Sequence, residues 1–265
     1  MKIFLELPFI VSIIIISVVS ILFFLAAEKL TRKKIHHDLL SENHTVSGFI
    51  YNAVCVVYAV LIAFVVFVIW SKMESTNSKI EGEANSLLNL YYDASAYPDS
   101  IKTEIQSTIR EYVKSVTQNE WKSLAEGKRD SVANRSFIKL NRIYLNIKPE
   151  KVTNSEVLSQ SIDNMKDVRE YRRYRLLSSR QNMPGILWLV LILSSVILVV
   201  FTFFFSVKDV RLNNIMMSLL VFVNVLVLYL IYVLDNPFVG IDAIKPEAFQ
   251  PLIDIIKRVE AVPKP

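Results

Sequence analysis

Hydrophobic residues fall along the chain in long uninterrupted runs separated by one long mixed stretch. The second run, residues 48–70, contains no charged residue and no proline. It is long enough to cross a bilayer as a helix, which takes about 20 apolar residues. Beyond Trp70 the run ends but the helical pattern continues: Met73, Ile80, Ala84, Leu87, Leu88 and Tyr91 follow at three- and four-residue steps. Only Gly82 weakens the segment. The pattern predicts one helix that leaves the membrane at Trp70 and runs on into water. Three further runs, 3–27, 185–207 and 212–234, have spanning length. The first is read as a true span entering at Pro8, because its apolar core exceeds that of a signal peptide.

The mixed stretch, 71–183, shows helical period and no convincing strand alternation. Tyr97-Pro98-Asp99-Ser100 predicts a turn, with Asp99 or Ser100 as N-cap of a helix whose face is Ile101, Ile105, Ile109, Tyr112, Val113 and Val116. Gly127 closes this helix or a short extension near Trp121. A third soluble-region helix carries Phe137, Leu140, Ile143, Tyr144 and Ile147 and stops at Pro149. Thr153 or Asn154 caps a fourth, with Val157, Leu158, Ile162, Met165 and Val168 on one face. After the last span, Asp235-Asn236-Pro237-Phe238 breaks the chain, and Pro246 starts a short amphipathic helix bearing Phe249, Leu252, Ile253 and Ile256.

The expected fold class is therefore all-α: four transmembrane helices with a helical soluble domain between the second and third. The expected divisions are 1–70 for spans 1 and 2 with a basic connector and 71–183 for the soluble domain. Residues 184–234 form a transmembrane hairpin and 235–265 a C-terminal segment.

Composition agrees: 52% of residues are hydrophobic and the mean hydropathy is +0.38. The net charge of +5 suits a partner of anionic lipid and implies no nucleic acid, because the basic residues lie at the membrane edges. A single cysteine, Cys55, excludes an intramolecular disulfide and a cysteine metal cluster. The three histidines sit at 36, 37 and 44. They are read as part of a lipid-anchoring connector and not as a metal site, which needs three or four well-placed ligands. No metal or other cofactor is expected. No catalytic motif or intramembrane carboxylate pair is visible, so neither an enzyme nor a proton-coupled pump is expected.

Three groups of residues are candidates for a functional site. On the second span Asn52, Cys55, Ala59 and Ala63 share a narrow face of small or polar side chains, with Phe64 and Val68 as an alternative face. The stripe is either a pore wall or a close-packing seam. Arg172, Arg173 and Arg175, near the start of the third span, read either as an electropositive vestibule for anions or as a basic belt at the membrane surface. Asn224, at the midplane of the fourth span, needs a partner, on a water-filled path or in an interhelical hydrogen bond.

The order of several short pieces carries a resemblance. They are Gly48-Phe49-Ile50, Tyr58 to Val66 with Trp70, Glu83-Ala84 with Leu87, Leu90-Tyr91, Trp121, Arg172-Arg173, Pro184 with Trp188, and Asp235-Asn236-Pro237-Phe238 with Gly240. Together they resemble the bacterial bestrophin-like membrane family and, more distantly, the bestrophins, which are pentameric anion channels. The resemblance implies a homopentamer with the second span lining a pore for small inorganic ions, and a cytoplasmic domain and termini in the plasma or bacterial inner membrane. The alternative is a non-conducting scaffold or sensor whose helical domain mediates assembly or partner binding. In bestrophins an Asn-Pro-Phe-Gly segment precedes a calcium-binding acidic run. Here Val239 interrupts it and only Asp242 and Glu247 follow, so calcium control is not carried over.

Overall fold

The computed structural model describes residues 7–34, 44–148, 154–205, 209–240 and 243–261. Those residues contain helices and turns and no strand. In chain order the helices are α1 (Phe9–Lys34), α2 (His44–Asp93), α3 (Asp99–Ser115), α4 (Trp121–Ala125), α5 (Ser131–Asn146), α6 (Ser155–Ser178), α7 (Gly185–Phe201), α8 (Val210–Leu234) and α9 (Gln250–Ala261). Four helical stretches are long and apolar enough to cross a membrane: Ile10–Thr31, Ser47–Ala96, Gly185–Phe204 and Val210–Leu234. The expected continuous helix is present: α2 runs 50 residues without a break. Residues 35–43 of the predicted basic connector, with His36 and His37, and Pro149, Thr153 and Asp242 lie outside the described residues.

The chain divides into two compact units, Met1–Lys72 with Met183–Asp242, and Met73–Asn182 with Ala243–Pro265. Residues 243–261 therefore belong with the soluble helices. In the first unit α1 packs along α8. Val199, Phe203, Met217 and Val221 form its core, with Ile21, Phe24 and Leu25 packed against them. Most remaining apolar side chains of these helices are exposed, a surface too apolar for water.

In the second unit α3 packs on α5, and α9 returns to α3. Of the predicted apolar stripes, Ile105, Ile109, Tyr112 and Val113 on α3, Val116 just after it, and Leu140 and Tyr144 on α5 are buried, while Ile101, Phe137, Ile143 and Ile147 are half-buried. The caps differ in one place. Pro98, not Asp99 or Ser100, occupies the N-cap of α3, with no side-chain bond. Asp130 caps α5 by accepting from the Val132 and Ala133 amides at 2.9 and 2.8 Å. Asn154 caps α6 by accepting from the Glu156 amide at 2.9 Å. A π-helical turn, Val116–Glu120, joins α3 to α4. Its wider i→i+5 bonding absorbs one residue and keeps both Glu120 and Leu124 on the buried side. Gly127, at φ +68°, ends α4 in a Schellman-type turn, with the Lys128 amide donating to Ser123 O at 2.9 Å.

On α6 the buried stripe is Leu158, Ser161, Met165 and Val168, whereas Ile162, expected on it, is 39% exposed. Gly82 does not interrupt α2. It lets the Tyr171 ring of α6 come so close that a Cβ at this position would stand 2.7 Å from Tyr171 Cε2.

Candidate functional site

Within the membrane unit the polar groups are few and each is placed. Asn224 of α8 is buried and accepts through Oδ1 from the Tyr58 hydroxyl of α2 at 2.7 Å and from Ser195 Oγ of α7 at 2.8 Å. One amide thus ties three helices together, which is how polar side chains hold spans that lipid cannot drive together. Near the other end of α8, buried Asn213 donates through Nδ2 to Glu28 of α1 at 2.6 Å. Asp235, just beyond α8, is buried and accepts from the Met183 amide at 2.7 Å and from the Trp188 indole at 3.3 Å. Burial pushes its carboxyl above the usual range, against the pull of these two donors and of Lys72. Asp235 thus binds the entrance of α7 to the exit of α8, a role beyond the helix breaking read from the sequence.

The candidate pore face is located by the contacts of α2. Tyr58, Val65 and Ile69 are buried. Asn52, Ala59 and Ala63 lie on the exposed side of the same helix, Cys55 is half-buried at its border, and Phe64 and Val68 are exposed at 66% and 46%. Both candidate faces are therefore uncovered in the single chain. Past Trp70 the same side of α2 carries exposed Glu74 and Glu81, seven residues apart and so nearly in line. Sequence reading did not single these two out.

The three arginines part company. Arg175 is fully buried and is held by Glu83 through two bonds, Nε–Oε2 at 2.8 Å and Nη2–Oε1 at 3.0 Å, and by Glu120 Oε2 at 2.9 Å. Arg172 is buried too, 3.0 Å from Glu120 Oε1. The Tyr112 hydroxyl donates to Glu83 at 2.5 Å. Two carboxylates thus balance two guanidinium groups inside a core of α2, α3, α6 and the π turn. Arg175 also lies over the Trp121 ring, 5.5 Å from its centroid, and Arg172 over Phe137 at 4.7 Å. Burial, the largest single influence, lowers the affinity of Arg175 for its proton, but Glu83, Tyr112 and Glu120 together outweigh it and hold the guanidinium charged well above its usual range. Burial first, and then Glu83, push the Tyr112 hydroxyl well above its usual value, so it stays a donor. Neither Arg172 nor Arg175 presents a free charge to an entering anion. Of the three, Arg173 alone is on the exposed side of α6.

The order of helices, the long α2 and the segment after α8 are the features by which the chain can be compared with known proteins. A family profile described as the bestrophin-like domain matches residues 14–249. The chain belongs to the bestrophin-like family. Among solved structures, a bacterial bestrophin homologue from Klebsiella pneumoniae is similar over 97% of this chain and 100% of that one, at 10% identity and a TM-score of 0.68. A variant of the Klebsiella pneumoniae homologue with a leucine-to-threonine mutation covers 94% and 99% at 11% identity, with a TM-score of 0.67. A structure described as a membrane protein with a leucine-to-alanine change covers 96% and 100% at 11% identity, with a TM-score of 0.70. At such identities the likeness establishes the bestrophin-like fold alone. No curated protein matches the chain.

Proposed function

We propose that this bestrophin-like chain is one subunit of an oligomeric membrane ion channel, a homopentamer by family resemblance, with α2 nearest the axis. The observation that carries the reading is the uncovered side of α2. Asn52, Ala59 and Ala63 lie on it together, and an amide facing hydrocarbon without a partner costs several kcal/mol. That side therefore meets water or another subunit. Among the described residues the membrane unit has no lumen-like polar lining of its own, so a water path needs a ring of copies. The soluble domain and termini are assigned to the cytoplasm, at a plasma or bacterial inner membrane. An impermeant thiol reagent that labels Ser131→Cys on intact cells overturns that assignment.

The sequence reading favours small inorganic anions, and Arg173 is the exposed guanidinium left to support it. A second reading, cation conduction, is favoured by Glu74 and Glu81 on the uncovered side of α2, since rings of carboxylates select cations. Purified protein in planar bilayers under a salt gradient decides between them by the sign of the reversal potential. Absence of current at every salt, pH and voltage overturns the channel and leaves a scaffold or sensor. Ala59→Cys addresses the site: a pore wall predicts reaction with a water-soluble thiol reagent and a fall in current, whereas a packing seam predicts no reaction.

A further inference from the structure

A groove of about 430 Å³ lies where the start of α3 meets the end of α5 in the soluble unit. Small-molecule sites run to roughly 300–1,000 Å³. Its walls come from the antiparallel contact of these helices. Ile101 of α3 and Ile143 and Ile147 at the end of α5 line it, half-buried, where the neighbouring stripe positions Ile105, Leu140 and Tyr144 are fully covered. The stripes of the two helices thus continue past the point where they cover each other.

The rim is charged and unbalanced. Lys139, Arg142 and Lys148 face a single carboxylate, Glu104, an excess of two positive charges. Lys139 has a distant exposed partner in Glu111, at 3.7 Å. Among the described residues neither Arg142, Lys148 nor Glu104 is in an ion pair.

We propose that this groove binds a small organic anion with an apolar body, its carboxylate or phosphate at Arg142 and Lys148 and its body on Ile101, Ile143 and Ile147. The two features act together: an apolar floor alone takes up neutral molecules, and a cationic rim alone takes up inorganic phosphate. The excess of positive charge fits an anion and not a cation or a neutral body. This site is independent of conduction, and binding is read without any current.

The test uses the full chain in detergent, with 1-naphthyl phosphate as probe and 1-naphthol and inorganic phosphate as comparisons, by calorimetric titration. The expected result is saturable binding of one naphthyl phosphate per chain, at least about tenfold tighter than either comparison. Arg142→Glu combined with Lys148→Glu, both exposed, is expected to weaken it by about tenfold or more with the melting temperature unchanged. Ile147→Ser, which keeps every charge, is expected to weaken naphthyl phosphate and leave the inorganic phosphate signal where it was. Unsaturable uptake, equal binding of 1-naphthol, or binding untouched by both variants overturns the proposal. So does a change in oligomer size abolished by the charge reversal, which would make the groove a contact between copies.

Discussion

Glu83→Gln tests whether the core of the soluble unit is held by a desolvated charge cluster. The substitution keeps side-chain size and one acceptor but removes a charge, so Glu120 alone must answer Arg172 and Arg175. Both side chains of the Glu83–Arg175 pair are 0% exposed and joined at 2.8 Å. Removing one partner of such a pair costs about 3–5 kcal/mol, because the other charge stays buried without compensation. At roughly 2–4 °C per kcal/mol for a chain of this size class, the loss in melting temperature is roughly 6–20 °C. Arg175→Gln should cost a similar amount. The double variant restores neutrality, since Glu120 and Arg172 still pair at 3.0 Å. It should therefore lose less than the sum of the singles, by about 2 kcal/mol. The assay is thermal unfolding of all four proteins in one detergent, with Trp121 as a local fluorophore. A Glu83→Gln variant that melts with the parent, or singles that add within about 0.5 kcal/mol, would refute the argument and mean that water reaches the pair.

Gly82→Ala should destabilise by about 1–3 kcal/mol, because its Cβ meets the Tyr171 ring. Gly48→Ala, in open space within the same helix, should not destabilise, and unfolding curves of the pair separate packing from helix propensity. Asn224→Ala leaves the Tyr58 and Ser195 hydroxyls without their acceptor; detergent unfolding should show a loss of about 0.6–2 kcal/mol, and no loss would mean that water replaces the amide. For Asp235 the folded carboxyl is raised above its unfolded value, so its contribution is most favourable at low pH and is lost as pH rises through the folded value. The stability of the parent relative to Asp235→Asn should therefore improve as pH falls from neutrality toward about 4, and a difference independent of pH would count against burial of the charge.

The spans, the uninterrupted α2 and the helical soluble region were legible because each is written as a run or a period several turns long. The cap of α3 was not, since Pro98, Asp99 and Ser100 all suit a helix start and only backbone geometry chooses among them. The π turn was invisible for a related reason: Val116 to Glu120 contains nothing that demands i→i+5 bonding, and the fit of Glu120 and Leu124 into the core selects it. Ile162 was misplaced because apolar character was weighed above phase. The position in line with Leu158, Met165 and Val168 is Ser161, which is small, fully buried and bonded to Asp93 at 3.1 Å.

Phase also governs the charges, and through them the ionic reading. The buried stripe of α6 steps by three and four through Leu158, Ser161, Met165 and Val168, and the next two positions in the same rhythm are Arg172 and Arg175. On α2 the fully covered positions Thr76, Ile80, Leu87 and Leu90 step likewise, and Glu83 falls between them. A charged residue on an otherwise covered stripe must be paired, so two arginines and a glutamate could have been assigned to the interior before any distance was known. Counting Arg172, Arg173 and Arg175 as one basic patch ignored that rhythm. With the stripe positions removed, Arg173 is what remains exposed of the three arginines, and Glu74 and Glu81 stand exposed on α2. The two acids lie on the helix proposed to face the ion path, on which Lys72 and Lys79 are half-buried. Anion conduction therefore requires Arg173, or basic groups of a neighbouring copy, to outweigh two carboxylates per subunit. A reversal potential that moves toward anion preference in Glu74→Gln with Glu81→Gln, relative to the parent, is the result this placement predicts.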